Sequence, residues 1–138
     1  MATILVIDDD PQIRSRFQKI LEAMGHRVLA AGNGIEGLDL FHQRGIELVV
    51  TNVFTPENDG LEVIMTLRRE APTVPIIGFS DRAVRYKFLN VAKKHGENRT
   101  VGGSCLVSEL LQAVQNSLQK REPPQQQENK DRSAIYVP

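Results

Sequence analysis

Three consecutive aspartates, Asp8, Asp9 and Asp10, leave the short apolar run TILVI, and an asparagine, Asn52, leaves a second such run, ELVVT. Carboxylates gathered at one edge are a natural magnesium site, because magnesium takes a few carboxylate oxygens, some carbonyls and retained waters. A carboxylate at position 52 would complete such a cluster with Asp8 and Asp9, but the residue there is an amide. The bland alternative is that the aspartates only cap a helix and favour its positive end. Spacing leaves both readings open, with Asp10 before Pro11 as the cap in either case.

The elements that would position these residues follow from hydrophobic periodicity. Residues 3–7, 27–31, 47–51, 76–79 and 99–102 read as strands. Between them, Ile13, Phe17, Ile20, Leu21 and Met24 recur at helical spacing, as do Ile35, Leu38 and Phe41, then Leu61, Ile64 and Leu67. Val84, Phe88 and Val91 give a fourth helix over residues 81–95, and Leu106, Leu110, Leu111, Val114 and Leu118 a fifth. Strand and helix alternate five times, which predicts a doubly wound α/β fold, a parallel sheet with helices on both faces. In such sheets ligands bind beyond the carboxyl ends of the strands. That edge collects Asp8, Asp9, Asn52, Val53, Phe54, Ser80, Gly103 and Ser104.

Composition narrows the class. The 138 residues suit one domain, residues 1–119, followed by a polar, Pro- and Gln-rich tail over 120–138 that is expected to be disordered. Lys plus Arg and Asp plus Glu each total 17, so no net basic charge points to nucleic acid. One cysteine, Cys105, excludes an intramolecular disulfide, and no apolar run reaches membrane length. The start lacks the pattern of a signal peptide, and a cytoplasmic protein is the expectation.

The motifs LVIDDD at 5–10, PENDG at 56–60, VPIIGFSD at 74–81 and the SELLQAV helix from 108 together resemble the receiver domain of two-component response regulators, of the single-domain chemotaxis type. The resemblance covers about residues 2–119 and implies a flavodoxin-like five-stranded sheet of order 2-1-3-4-5 with five helices. It also implies phosphate transfer from a histidine kinase to an aspartate after the third strand. Asn52 stands at that position. Asp8 and Asp9 match the acidic pair, with Asp9 the direct magnesium ligand, Phe54 the backbone carbonyl ligand and Ser80 the switch hydroxyl. Gly103 stands where the family has a lysine and Ser104 where a proline follows; Thr55 and Asn58 also depart from the pattern. A neutral amide is a poor nucleophile for phosphorus and gives magnesium less charge. The resulting expectation is a receiver-like module with weak or absent magnesium binding, no aspartyl phosphorylation and no enzymatic role. It would meet signalling proteins (a histidine kinase, an output or a regulatory partner) through the fourth helix, fifth strand and fifth helix, or form a homodimer. The alternatives are phosphorylation of an unorthodox residue and a small-molecule or cation sensor in the residual acidic pocket. A trans Gly103–Ser104 bond is expected, since cis before a non-proline costs about 2.5–4 kcal/mol.

Other signals have plainer readings. Gly32-Asn33-Gly34 is a turn rather than a phosphate loop. His26, His42 and His95 lack ligand spacing. Cys105 is a packing thiol. Thr51 should point away from Asn52's face. Arg82, Arg85, Tyr86, Lys87, Lys93 and Lys94 mark a candidate contact surface, and the tail cluster at 134–137 reads as an inert terminus.

Overall fold

The computed structural model describes residues 1–53, 59–79, 99–101 and 107–119. Strand β1 (Thr3–Ile7), helix α1 (Pro11–Ala23), β2 (Arg27–Ala31), α2 (Gly34–Gln43), β3 (Leu48–Asn52), α3 (Asp59–Glu70), β4 (Ile76–Phe79) and β5 (Arg99–Val101) follow in order, and a C-terminal helix spans Val107–Gln119. The five strands form one parallel sheet in the order β2-β1-β3-β4-β5. That is the expected topology. The expected fourth helix, residues 81–95, with its basic side chains, lies outside the described residues, as do Thr55, Asn58, Cys105, the Gly103–Ser104 bond and the tail.

Alternation along the buried strands sends side chains to two cores. Ile4, Val6, Leu48, Val50, Ile77 and Phe79 meet α1 through Phe17 and Leu21, and the C-terminal helix through Leu110, Ala113 and Val114. Phe17 and Phe79 pack edge to face with centroids 5.0 Å apart, a favoured aromatic geometry. On the other side Leu5, Ile7, Val49, Val53 and Ile76 meet Val63, Ile64 and Leu67 of α3, with Leu38 and Phe41 of α2 packed against them.

Helix ends follow their local chemistry. Asp10 caps α1, its Oδ1 accepting from Gln12 N at 2.9 Å, with Pro11 at the first helical position. Gly25, at φ +95°, turns the chain out of α1. Asn33 caps α2 through Glu36 N at 2.8 Å, while the Glu36 carboxylate reaches back to Gly32 N at 2.9 Å. At the far end of α3, the Arg68 guanidinium donates to the carbonyls of Ala71, Pro72 and Val74 at 3.2, 3.1 and 2.7 Å, holding the turn into β4.

Three sequence expectations need correction. Ile35, read as inward, is 80% exposed. Helix α2 begins one residue earlier than expected, and its inner stripe runs through Gly34, Gly37, Leu38 and Phe41. Glycines occupy that stripe because the helix lies close to the sheet: a Cβ at Gly37 would come within 2.5 Å of Ile7 Cδ1. Met24, read as part of the α1 stripe, is the residue just past that helix and is 55% exposed. The third strand is shifted by one residue, to Leu48–Asn52, so Asn52 lies inside the ladder, in register with Phe79.

Candidate functional site

Asp8 and Asn52 come together because β1 and β3 are neighbours and both residues sit on the face of Val6 and Val50. Ile7 pairs with Thr51 in register, which sets the next residues, Asp8 and Asn52, side by side at the carboxyl edge. Asp8 is fully buried, and Asn52 is 5% exposed. Asn52 Nδ2 donates to Asp8 Oδ2 at 3.4 Å, a long contact beside the usual 2.9–3.0 Å. Charge dictates this orientation of the amide, since its oxygen would be repelled by a carboxylate. Asp8 Oδ1 accepts from Asp10 N at 2.8 Å. The main chain of Asp8 is held as well: its N–H donates to Ala31 O at 3.1 Å, and its carbonyl accepts from Arg14 Nη1 at 2.7 Å.

The Asp8 carboxyl is pushed up to about 6, first by burial; the Asp9 charge and hydrogen bond add to this, while the bonds from Asp10 and Asn52 pull the other way. Asp9 and Asp10 point to solvent. The expected site is therefore only partly assembled among the described residues: Asp8, Asp9 and Asn52 are placed at one edge, while Phe54, Ser80, Gly103 and Ser104 lie outside them.

Thr51 takes the other face, as alternation requires. It is fully buried, and its hydroxyl donates to Asn52 O at 3.2 Å. The two described histidines, His26 and His42, are apart from the site, and His95 lies outside the described residues. His26 Nδ1 accepts from Ala2 N at 3.1 Å, and His42 meets Glu70 across α2 and α3 at 2.7 Å. Two residues that sequence reasoning missed support the site. Arg14, one turn beyond the Asp10 cap, reaches back to the Asp8 carbonyl, and its Nη1 would lie 3.3 Å from a Cβ at Gly32. Gly60 lies so close to the end of β3 that a Cβ there would be 2.2 Å from Asn52 O and 2.7 Å from Val53 O. The spacing of Arg14 from Asp10 was the one available signal for the first. The second is the last residue of the PENDG motif at 56–60, which marks the position but not the close approach.

Of the groups that the resemblance assigns to magnesium, Asp8 and Asp9 are carboxylates, Asp8 accepting hydrogen bonds at both oxygens, and the group at position 52 is a neutral amide. Among the described residues no group of three or more Asp, Glu, His or Cys side chains could hold a metal.

The response regulator receiver domain matches residues 4–115. The chain belongs to that family. Curated relatives include the transcriptional regulatory protein AfsQ1 of Streptomyces coelicolor, 39% identical over 77 residues, 56% of this chain and 34% of that protein. The response regulator MprA of a Mycobacterium species is 38% identical over 79 residues, 57% of this chain and 34% of its own length. The match thus spans about a third of these longer relatives. Among solved structures, a response regulator receiver domain protein from Clostridium thermocellum superposes with a TM-score of 0.81 at 25% identity, covering 88% of this chain and 97% of that one. TrrA from Thermotoga maritima, solved with Mg²⁺ and BeF, gives 0.75 at 27% identity over 85% and 99%. The receiver, a two-component signalling module, is therefore the frame for Asn52. Among the described residues no helix is long and apolar enough to cross a membrane.

Proposed function

We propose that this receiver signals by protein–protein contact, without aspartyl phosphorylation. The observation that carries the reading is the buried amide of Asn52 beside Asp8, at the end of β3 where the family resemblance puts the phosphate-accepting aspartate. Transfer to a side-chain oxygen needs an anionic nucleophile, and the amide oxygen is neutral. Thr51 is no substitute, because its hydroxyl is buried on the opposite face. Asp8 is buried, and its two oxygens already accept from Asp10 N and Asn52 Nδ2, which holds them away from attack. The glycine at position 103 removes a cation that would stabilise a transferring phosphoryl group.

On this reading residues 1–119 are the module and 120–138 a tail. Asp8, Asp9 and the Phe54 carbonyl bind magnesium weakly or not at all, and Ser80 is a switch position without its trigger. The module works in the cytoplasm, is not an enzyme and does not contact nucleic acid itself. Its partners are a histidine kinase, an output or regulatory protein, or a second copy, met through the fourth helix, fifth strand and fifth helix. The relatives' names as response and transcriptional regulators support a signalling partner of this kind.

Thermal unfolding with magnesium and beryllofluoride tests the reading. An intact receiver should rise in Tm, because a ligand that binds only the folded state stabilises it by mass action. Here the expected change is none. A rise that saturates with both reagents would show a working phosphoryl pocket and overturn the proposal.

A further inference from the structure

We propose that His26 is a proton-sensitive latch on the start of β1: its neutral ring holds residue 2 in place, and protonation releases the amino end of that strand. The inference stands apart from the reading of Asn52, which lies at the other edge of the sheet, at the end of β3.

Residues 2 and 3 enter β1 between two loops. Ala2 O accepts from Arg27 N at 2.9 Å, and Thr3 O accepts from Glu47 N at 2.8 Å. Their own N–H groups go to side chains. Ala2 N donates to His26 Nδ1 at 3.1 Å, and Thr3 N to Glu47 Oε1 at 2.8 Å. Each flank thus holds the strand's start by one main-chain bond and one side-chain bond. The main-chain bonds do not titrate. The His26 bond does.

A main-chain N–H can only donate, so the ring nitrogen that faces it must carry a lone pair. That fixes the neutral ring with its proton on Nε2. A proton on Nδ1 would set two donors against each other. Turning the ring away would instead leave Ala2 N without its acceptor, at a residue that is 7% exposed. The main chain of His26 cannot follow, because its N–H donates to Leu21 O at 3.1 Å where Gly25 turns the chain out of α1.

The surroundings favour the neutral form. Burial first, then the amino group of Met1, lower the ring's pKa from its ordinary 6.5, while Glu47 opposes them. Lys19 and Glu22 of α1 and Arg27 of β2 are exposed, and residues 107–119 carry one charge, Glu109, in the first turn of the C-terminal helix. With the folded value below the ordinary one, the unfolded chain takes the proton first. The stability from this group is complete above 6.5 and is lost as pH falls through the lowered folded value. Ala2 belongs to the core of Ile4, Leu21 and Leu48, so its release bares the amino end of that core.

The test is amide hydrogen exchange of the full chain, read by NMR from above to below the His26 titration and corrected for intrinsic rates. Arg27 N–H, bonded to Ala2 O, reports the latch. Val49 N–H, bonded to Pro75 O at 3.0 Å, is the internal reference. A ratio of the two is needed because Asp8 also titrates in acid and moves the stability of the whole fold. The ratio of Arg27 to Val49 protection should fall about fivefold as the ring protonates, the fold-change of one net hydrogen bond. His26→Asn offers Oδ1 in place of Nδ1 without titrating and should hold the ratio high throughout. His26→Phe offers no acceptor and should hold it low throughout. A constant ratio in the native chain, or an equal fall in His26→Asn, would overturn the latch.

Discussion

Asp8→Asn should stabilise the protein at pH 7 in magnesium-free buffer by on the order of 2–3 kcal/mol, seen as a Tm several degrees higher. The cause is the buried carboxyl. Its ordinary value of 3.8 rises to about 6 in the fold, so above pH 6 the folded state carries a charge that it holds less readily than the unfolded chain does. Between about 4 and 6 the folded state binds the proton more tightly, and stability from this group increases as pH falls through that window. Above about 6 that stability is gone. Asparagine cannot titrate. It keeps an oxygen for Asp10 N, and its amide can pair with that of Asn52. The variant should therefore lose this part of the pH dependence as well as gain stability at neutral pH. Urea unfolding of both proteins at pH 4.5 and 7 would check it: equal stabilities at pH 7, or an unchanged pH difference, would mean that the Asp8 charge is better solvated than its burial implies.

Gly60→Ala should cost roughly 3 kcal/mol or more, at the upper end of what overpacking a tight site costs. The reason is space. A methyl would lie 2.2 Å from Asn52 O, 2.7 Å from Val53 O and 2.8 Å from Val53 C, all backbone atoms. They cannot retreat without disturbing the Val53 N–H bond to Phe79. Gly45→Ala is the control, since a Cβ there meets nothing within 4 Å, and it should be near neutral. Gly37→Ala should fall between, because the atoms it would meet are the end of the flexible Ile7 side chain. Chemical denaturation midpoints for the three variants would rank them. A Gly60→Ala protein as stable as Gly45→Ala would contradict the close seating of α3 on the end of β3.

The sheet was legible because its strands are short and mostly apolar, with β1, β3 and β4 almost wholly buried, and the patterns at 3–7, 27–31 and 76–79 have the bounds of β1, β2 and β4. Strand order was not a matter of periodicity. It came with the resemblance carried by LVIDDD, PENDG and VPIIGFSD. Where the apolar pattern misled, close packing was the reason. Ile35 fits a helical stripe by type, but the fully buried residues on α2 are the glycines Gly34 and Gly37, and periodicity counts only side chains. The pairing of Asp8 with Asn52 followed from two strand ends meeting at one edge. The cost of burying Asp8, the Arg14 bond to its carbonyl and the tight fit at Gly60 depend on distances between elements far apart in sequence, which one chain of letters does not contain.

The same dependence explains why one substitution at position 52 matters. An aspartate there would put a second carboxylate against Asp8 in a buried site, where like charges raise one another's pKa and a divalent cation relieves the repulsion. The amide removes the repulsion by donating to Asp8 instead. On the proposed reading, the same change that removes the nucleophile makes the site less dependent on metal.

The most direct measurement is the intact mass of the chain after incubation with magnesium and a small-molecule phosphodonor, with an intact receiver treated in parallel. The account predicts that the control gains a phosphoryl group and this chain gains none. A phosphoryl adduct on this chain, mapped to any residue at the carboxyl edge of the sheet, would contradict it.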